Sequence, residues 1–547
     1  FVKAYPELFT LTVREKKKIF VMTVAYCVLA LFAQSARTQR NMAAVIVLVL
    51  AVFTVTSFGN IFLQGKYMCG MLSGLLVVSI LLNVSYQYSY EKDYLSEFAE
   101  AEDVMDKLES NTDKAVLNTG DQGVYRYDQY GALPYDNTSM YMGTNSTAYY
   151  FSLANGSISQ FFNEMYLNTP WEQHYENLDS RTILDRLAAV KYFVISGNNY
   201  KYLPYGYNRE KGSAGKGNKE CRAYTGDSTL PLGYTYDSYI PRSEYEKMDV
   251  VKKQQVLLDG VVLEDSSLPK ASTYFDDESM DYRIEPGEGC TVSDGKIYVT
   301  REGASLKLAF NGLAECETYL IADDLDYDSL SPRQLIGKKQ WNSLSDYEKN
   351  KVWNKDSMWR YWKETKEAAM SVASGDVQKS IKIFTDKYNA YSGRHNFLCN
   401  LGHSRTCRKV ITLTFENTGV YTYDKLRVVC QPVQGIQEKT QELEAETLQN
   451  INQEENQITG EITVSGKRAL VLAIPYSKGF TAYVDGEKTE LKKANTMYMA
   501  VELEEGHHTI QLIYCTPYIK TGAVLTLAGL LLYFILVYRS RRKKNCM

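Results

Sequence analysis

Two acidic or soft-ligand stretches and a few isolated histidines carry the residue types that do chemistry. DDLDYDS sets Asp324, Asp326 and Asp328 at alternate positions, an arrangement that invites calcium or the metal-binding D-x-D of nucleotide-sugar transferases. An EF-hand loop needs Gly at its sixth position and Glu at its twelfth, where Ser329 and Leu335 stand. A solvated acidic turn is the better account, because clustered carboxylates normally face water. RHNFLCNLGHSRTC places His395, Cys399, His403 and Cys407 four residues apart. On a continuous helix they would form one stripe of zinc ligands. Asn400, Gly402 and Ser404 oppose such a helix, and zinc sites usually come in tighter pairs. KGSAGKGNK lacks the spacing and the Ser or Thr of a phosphate-cradling loop. No G-x-S-x-G occurs. His174, His507 and His508 read as ordinary surface histidines beside strands. The sequence therefore calls for no cofactor; a divalent metal is conceivable but unsupported.

The elements that would hold these residues follow from periodicity. AEDVMDKLES, GSISQFFNEMYL and DSRTILDRLAA carry helical patterns, and VKYFVIS is a short apolar strand, so 91–205 is expected to be an α/β module. Beyond it ASLKLAF, TYLIA, SIKIF, KVITLTF and KLRVVC alternate or run apolar between turn residues. That pattern predicts a β-sandwich over 206–435, with a helical insert at about 331–372. A helical linker is expected at 436–455. ALVLAI, FTAYV, MYMAVEL and HTIQLIY predict a second, membrane-proximal sandwich over 456–518, whose Asp485-Gly486 dipeptide suits a two-residue hairpin turn.

The 547 residues carry a net charge of −4, without the clustered Lys and Arg that a nucleic-acid partner would need. The ten Cys are scattered and form no dense disulfide framework. Uncharged stretches at about 19–36, 43–63, 67–84 and 521–538 have the length that a bilayer demands, about 20 residues each. Lys16, Lys17 and Lys18 precede the first, and Arg539, Arg541, Arg542, Lys543 and Lys544 follow the last. The positive-inside rule puts both clusters in the cytoplasm, and the parity of four spans agrees. Arg37 and Arg40 fall on the outer side and mildly disagree. The expected organisation is three transmembrane helices within 1–90, an extracytoplasmic region over about 85–520, and a last transmembrane helix with a basic cytoplasmic tail over 519–547. Without a signal peptide before the first apolar segment, the chain is expected to be the C-terminal portion of something longer.

Four strings carry a more specific signal: LDSRTILDRLAAVKYFVISGNNYKYLPYGYN, LPLGYTYDSYI, RVVCQPV and IPYSKGFTAYVDGEKTELKKANTMYMAVELEEGHHTIQLIY. They closely resemble the YfhO family of bacterial polytopic membrane proteins, and the resemblance spans nearly the whole chain. It implies a GT-C-type glycosyltransferase that takes a sugar from a polyprenyl-phosphate carrier and adds it, outside the membrane, to a cell-surface polymer such as teichoic acid. The partners implied are the lipid bilayer, that lipid-linked donor and a glycopolymer acceptor. The acid expected to act as base or metal ligand in that family type lies upstream of this chain, so no catalytic residue is assignable here. Within that frame YYFSLANGS is the acceptor-side candidate: Tyr149, Tyr150, Ser152 and Asn155 offer aromatic faces and planar polar groups. The competing account of the stretch is a connecting turn. The competing account of the protein is a non-catalytic anchored envelope module that binds a glycan or organises a complex. A transporter would be expected to carry ionisable groups near the centres of its spans, and these have none.

Overall fold

The computed structural model describes residues 108–131, 137–169, 173–273, 279–336, 338–362, 366–388 and 391–545, together with scattered positions between 11 and 84. The chain divides into two compact units, Phe1–Lys107 and Leu108–Met547. Almost all of the expected spans at 19–36, 43–63 and 67–84, and most of the AEDVMDKLES helix, lie outside the described residues. The second unit is mostly sheet and ends in one long apolar helix.

Its first sheet has the order Arg126–Tyr130, Val190–Ser196, Cys221–Gly226, Tyr207–Ala214, with the first pair parallel and the others antiparallel. VKYFVIS is a central strand that is nearly all buried, which explains its unbroken apolar run. Helix Asn111–Leu117 packs on one face. Helices Gly156–Glu164 and Thr182–Leu187 contribute to the core on the other. The expected module boundary at 205 falls inside this sheet: the strands at 207–214 and 221–226 complete it. Residues 230–268 add Leu232, Tyr236, Tyr245, Val256 and Val262 to the same core. Sequence periodicity marks strands but not their partners, so it misplaced the boundary.

Strands from Ser279 to Pro432 form three antiparallel sheets of four, five and four strands around one shared core, a sandwich. ASLKLAF, TYLIA, SIKIF, KVITLTF and KLRVVC all lie in its strands. The helical insert is shorter than expected. Helices Lys338–Ser343 and Asp346–Trp362 give way to strand Glu367–Ser374, in which every second residue is buried and which pairs with Val377–Phe384. The good helix formers of KEAAM are overruled by the inward alternation of Ala368, Met370 and Val372.

The linker helix covers only Ile436–Glu444, and strand Gln449–Gln453 follows. The last sandwich pairs a five-stranded sheet with a four-stranded one, Lys492–Ala494, Tyr498–Leu503, Arg468–Leu472, Gly233–Tyr236. Its edge strand Gly233–Tyr236 comes from far upstream. ALVLAI reads as continuously apolar because both faces are covered: Ala469, Val471 and Ala473 meet the first core, Leu470 and Leu472 the sandwich core. Tyr514 ends the last strand, and helix Ile519–Asn545 begins after residues 515–518. Its stretch Ile519–Arg539 has a mean hydropathy of 2.1 and no buried side chain, long and apolar enough to cross a bilayer.

Candidate functional site

The stretch 149–155 is held by Tyr175, Asn137 and Tyr476. Tyr149–Tyr150 is a two-residue strand paired with His174–Tyr175. The Tyr149 ring stacks on Tyr175 at 5.0 Å, and burial pushes its phenol up. Asn137 clamps Tyr150 twice, donating to its carbonyl at 2.8 Å and accepting from its N–H at 3.0 Å. Ser152 lies exposed and donates weakly to the Tyr150 hydroxyl at 3.4 Å. Asn155 caps helix Gly156–Glu164 by accepting from Ser157 N–H at 2.8 Å, while its amide donates to the Tyr476 carbonyl at 3.1 Å. Of the four side chains only Asn155 is spent on backbone, and the stretch bulges outward: Tyr150, Phe151, Ser152 and Leu153 are all exposed. A ligand site needs convergent groups around a hollow.

The metal-ligand candidates are also dispersed. Asp326–Ser329 is a strand, so Asp324, Asp326 and Asp328 face solvent while Leu325 and Tyr327 are buried. Phe397–Ser404 is likewise a strand, on which residues four apart stand about 13 Å from one another. Cys399 is buried against Leu320's strand, His395 bonds Tyr391 at 2.8 Å, and His403 bonds Glu315 at 3.0 Å. Among the described residues no group of three or more His, Cys, Asp and Glu could hold a metal ion.

A concave site does form where the first core meets the large sandwich. The cleft has a volume of about 240 Å³, and Tyr130, Asn168, Glu176, Asn177, Lys379 and Lys382 line it. Tyr130 ends the first strand and stacks on Tyr202 with ring centroids 3.7 Å apart. Burial and the Tyr202 hydroxyl raise its phenol above the ordinary range. The floor is the left-handed turn at Asp179 and Ser180, with φ of 60° and 54°. Asp179 binds Lys379 at 2.6 Å and accepts from Asn400 N–H at 2.7 Å. The Asn400 amide donates to the carbonyls of Asp179 and Ser180. This pair of residues bolts the two cores together and leaves Lys379 spent. The side chains of Glu176 and Lys382 have no hydrogen-bond or ion-pair partner among the described residues. The cleft therefore presents a free carboxylate, a free ammonium, amide groups and an aromatic ring, which suits hydroxyl-rich ligands.

Behind this floor lies buried polar structure with no signal in the sequence. Arg181, fully buried, donates twice to Gln254 Oε1, at 2.8 and 2.6 Å. Gln254 reaches Tyr319, whose hydroxyl donates to Glu317 at 2.6 Å, and Glu317 also accepts from Thr182 at 2.5 Å. Beside it Asp128 accepts from Gln129 N–H, Thr147 Oγ1 and Leu178 N–H at 2.7, 2.6 and 3.0 Å. Among the described residues no N–H or O–H donor reaches the oxygens of the facing Asp185. Burial, then the Asp128 carboxyl, hold Asp185 well above the usual carboxylate range. Burial raises Asp128 too, but its hydrogen-bond donors work against that rise; of two buried carboxyls sharing one proton, Asp185 is therefore the favoured holder.

The family model described as "Bacterial membrane protein YfhO" matches residues 3–526. The chain belongs to the YfhO family. It is a bacterial membrane protein by that membership, in keeping with the exposed apolar helix at its C-terminal end. A curated member, "Uncharacterized protein YfhO" of Bacillus subtilis (strain 168), is 22% identical over 512 residues, covering 91% of this chain and 53% of that protein. The chain thus spans about half the length of that YfhO relative. Two cryo-electron-microscopy structures of the arabinofuranosyltransferase AftD from Mycobacteria also align. A mutant form gives a TM-score of 0.32 at 8% identity, covering 90% of this chain and 70% of that one. The other gives 0.23 at 8% identity, covering 90% and 53%. Scores this low do not establish a shared fold with this YfhO chain.

Proposed function

We propose that this chain is the outer, β-rich part of a membrane-embedded GT-C-type glycosyltransferase, which moves a sugar from a polyprenyl-phosphate carrier to a cell-surface polymer such as teichoic acid. In this reading residues 85–520 face outward, the basic tail is cytoplasmic, and the catalytic acid belongs to the rest of the protein. The observation that supports it is the short join between body and helix: only residues 515–518 separate the last strand from Ile519. A body tied so closely to a span stands at the membrane surface, where a lipid-linked donor presents its sugar. The cleft at Tyr130, Glu176 and Lys382 then replaces the 149–155 stretch as the acceptor-side site. Its unpaired groups hold hydroxyls and position the polymer, and the transfer step takes place nearer the bilayer.

A second reading, a non-catalytic envelope module that binds a glycan, is favoured by the chemistry of that same cleft. Its Glu176 and Lys382 side chains are open to a ligand, whereas its one thiol, Cys399, is buried and held protonated by that burial and then by the Asp179 charge. The sugar content of the surface polymer separates the two. Deleting the whole gene should strip a sugar substituent, and the intact gene should restore it; a polymer unchanged by deletion would leave the binding module standing.

A further inference from the structure

From Asn137 to Asn163 the chain has no Asp, Glu, Lys or Arg, in a protein that is 23% charged. Such a run would normally be core, yet much of it is surface. Helix Thr138–Met142 buries Thr138 and Ser139, the former through its hydroxyl on Asp113 at 2.8 Å, and this turns Met140 and Tyr141 outward. The Asn137 clamp sets Tyr150 beside them. Met140 is 80% exposed, Leu153 78% and Phe151 55%, with Tyr141 and Tyr150 between. Together they make an apolar, aromatic patch.

The last sandwich shows which end of the molecule this patch occupies. Strand Phe480–Val484 pairs with Gly506–Tyr514 so that Phe480 meets Tyr514 at one end and the Asp485-Gly486 turn closes the other. The two ends lie about 13 Å apart. The chain leaves from the Tyr514 end into the apolar helix. Asp485, Glu487, Lys488, Glu504 and Glu505 charge the opposite end. Asn155 is bonded to the Tyr476 carbonyl, and Gly479 accepts from Cys515 N–H at 2.9 Å. The 149–155 stretch therefore stands by the end from which the membrane helix departs, and Leu153 is two residues from that bond. Aromatic and aliphatic side chains in this position suit the headgroup and upper acyl zone of a bilayer.

We propose that Met140, Tyr141, Tyr150, Phe151 and Leu153 rest on the lipid bilayer, a second contact that fixes the tilt of the β-rich body beside its C-terminal helix. The surface is tied through the Asn155–Tyr476 and Cys515–Gly479 bonds to the root of a helix long and apolar enough to cross a bilayer, and the absence of charge along the whole segment distinguishes it from a rim that contacts water.

The test uses the full-length protein in vesicles of phosphatidylglycerol and phosphatidylethanolamine, with the photoreactive residue p-benzoylphenylalanine placed singly at 151, 153, 488 or 525. Position 525 lies in the apolar helix and 488 in the charged hairpin. Phospholipid adducts, read by mass spectrometry, should form at 151, 153 and 525 and exceed position 488 by about tenfold. If 525 captures lipid while 151 and 153 do not, or if these two capture a polypeptide instead, the proposal is overturned. Position 140 replaces either patch site that fails to yield a monodisperse protein.

Discussion

Replacing Asp185 with Asn should leave the fold intact and remove a pH dependence from its stability. In the native protein Asp185 is fully buried, meets no donor among the described residues, and faces an Asp128 carboxyl already holding three. Its folded pKa is raised by burial and then by Asp128. A group so raised contributes stability that is complete below its unfolded value, about 3.9, and is lost as pH rises through the folded one. Across that window the wild type loses about 1.4 kcal/mol per pH unit through this site. An Asn amide donates to Asp128 as the protonated acid does and has no proton to lose. The stability of Asp185→Asn relative to wild type should therefore climb with that slope as pH increases from about 4. Asp128→Asn is the counterpart. It orphans at least one of the buried N–H donors of Gln129 and Leu178 and should cost about 2–4 kcal/mol at neutral pH. Urea unfolding of the detergent-solubilised chain, followed by circular dichroism from pH 4.5 to 7.5, measures both. The shared-proton account is refuted if Asp185→Asn tracks the wild type at every pH, or if Asp128→Asn is neutral.

Asp113 is fully buried and accepts from Tyr127 at 2.7 Å, Thr138 at 2.8 Å, Thr144 at 2.5 Å and Ser110. Asp113→Ala should lower unfolding free energy by about 3–5 kcal/mol and loosen helix Asn111–Leu117, visible as faster amide exchange there. At the hairpin, Asp485 and Gly486 have φ of 54° and 81°. Gly486→Val should cost about 1–2 kcal/mol, since a β-branched residue resists that region, and should reduce the yield of folded protein. His508 donates to Asp485 at 2.7 Å and to the Glu504 carbonyl at 2.9 Å. Burial opposes its charge, but these acceptors win and raise its pKa, while His508 and then the Thr509 N–H lower that of Asp485. The pair therefore stabilises between about pH 4 and the raised His508 value and fades above it. Because Asp485 is half exposed, Asp485→Asn should cost less than about 1 kcal/mol at pH 5.5, with the loss closing at alkaline pH and glycosylation unaffected.

Legibility in the sequence followed the range of the interaction. Strands such as KVITLTF and ALVLAI, the Asp485-Gly486 turn and the C-terminal apolar helix are encoded within a few consecutive residues, and each formed where expected. KEAAM was misread because its helix propensity is local while the pairing that makes it a strand is a tertiary choice. The division into modules failed for a similar reason: Gly233–Tyr236 belongs to a sheet whose other strands begin at Arg468. The candidate site was least legible. YYFSLANGS drew attention as a dense local cluster, but Asn137, Tyr175 and Tyr476 absorb its polar groups or cover its ring. Tyr130, Glu176 and Lys382 come from three distant segments, and none has a neighbour in sequence that signals a cleft. The pairing of Asp179 with Lys379, far apart along the chain, and the left-handed φ of Asp179 become visible only in the folded structure.

The central claim, glycosyl transfer, is tested most directly with the purified full-length protein in vesicles. The donors are polyprenyl-phosphate sugars, tritiated by incubating host membranes with labelled nucleotide sugars. The acceptor is surface polymer from the gene-deleted strain. Wild-type protein should move the label from the organic-soluble lipid into the polymer, and Glu176→Gln with Lys382→Met should raise the acceptor concentration needed without abolishing transfer. If the label stays in the lipid with folded wild-type protein while polymer still binds it, the chain belongs to a glycan-binding module and the transferase account is wrong.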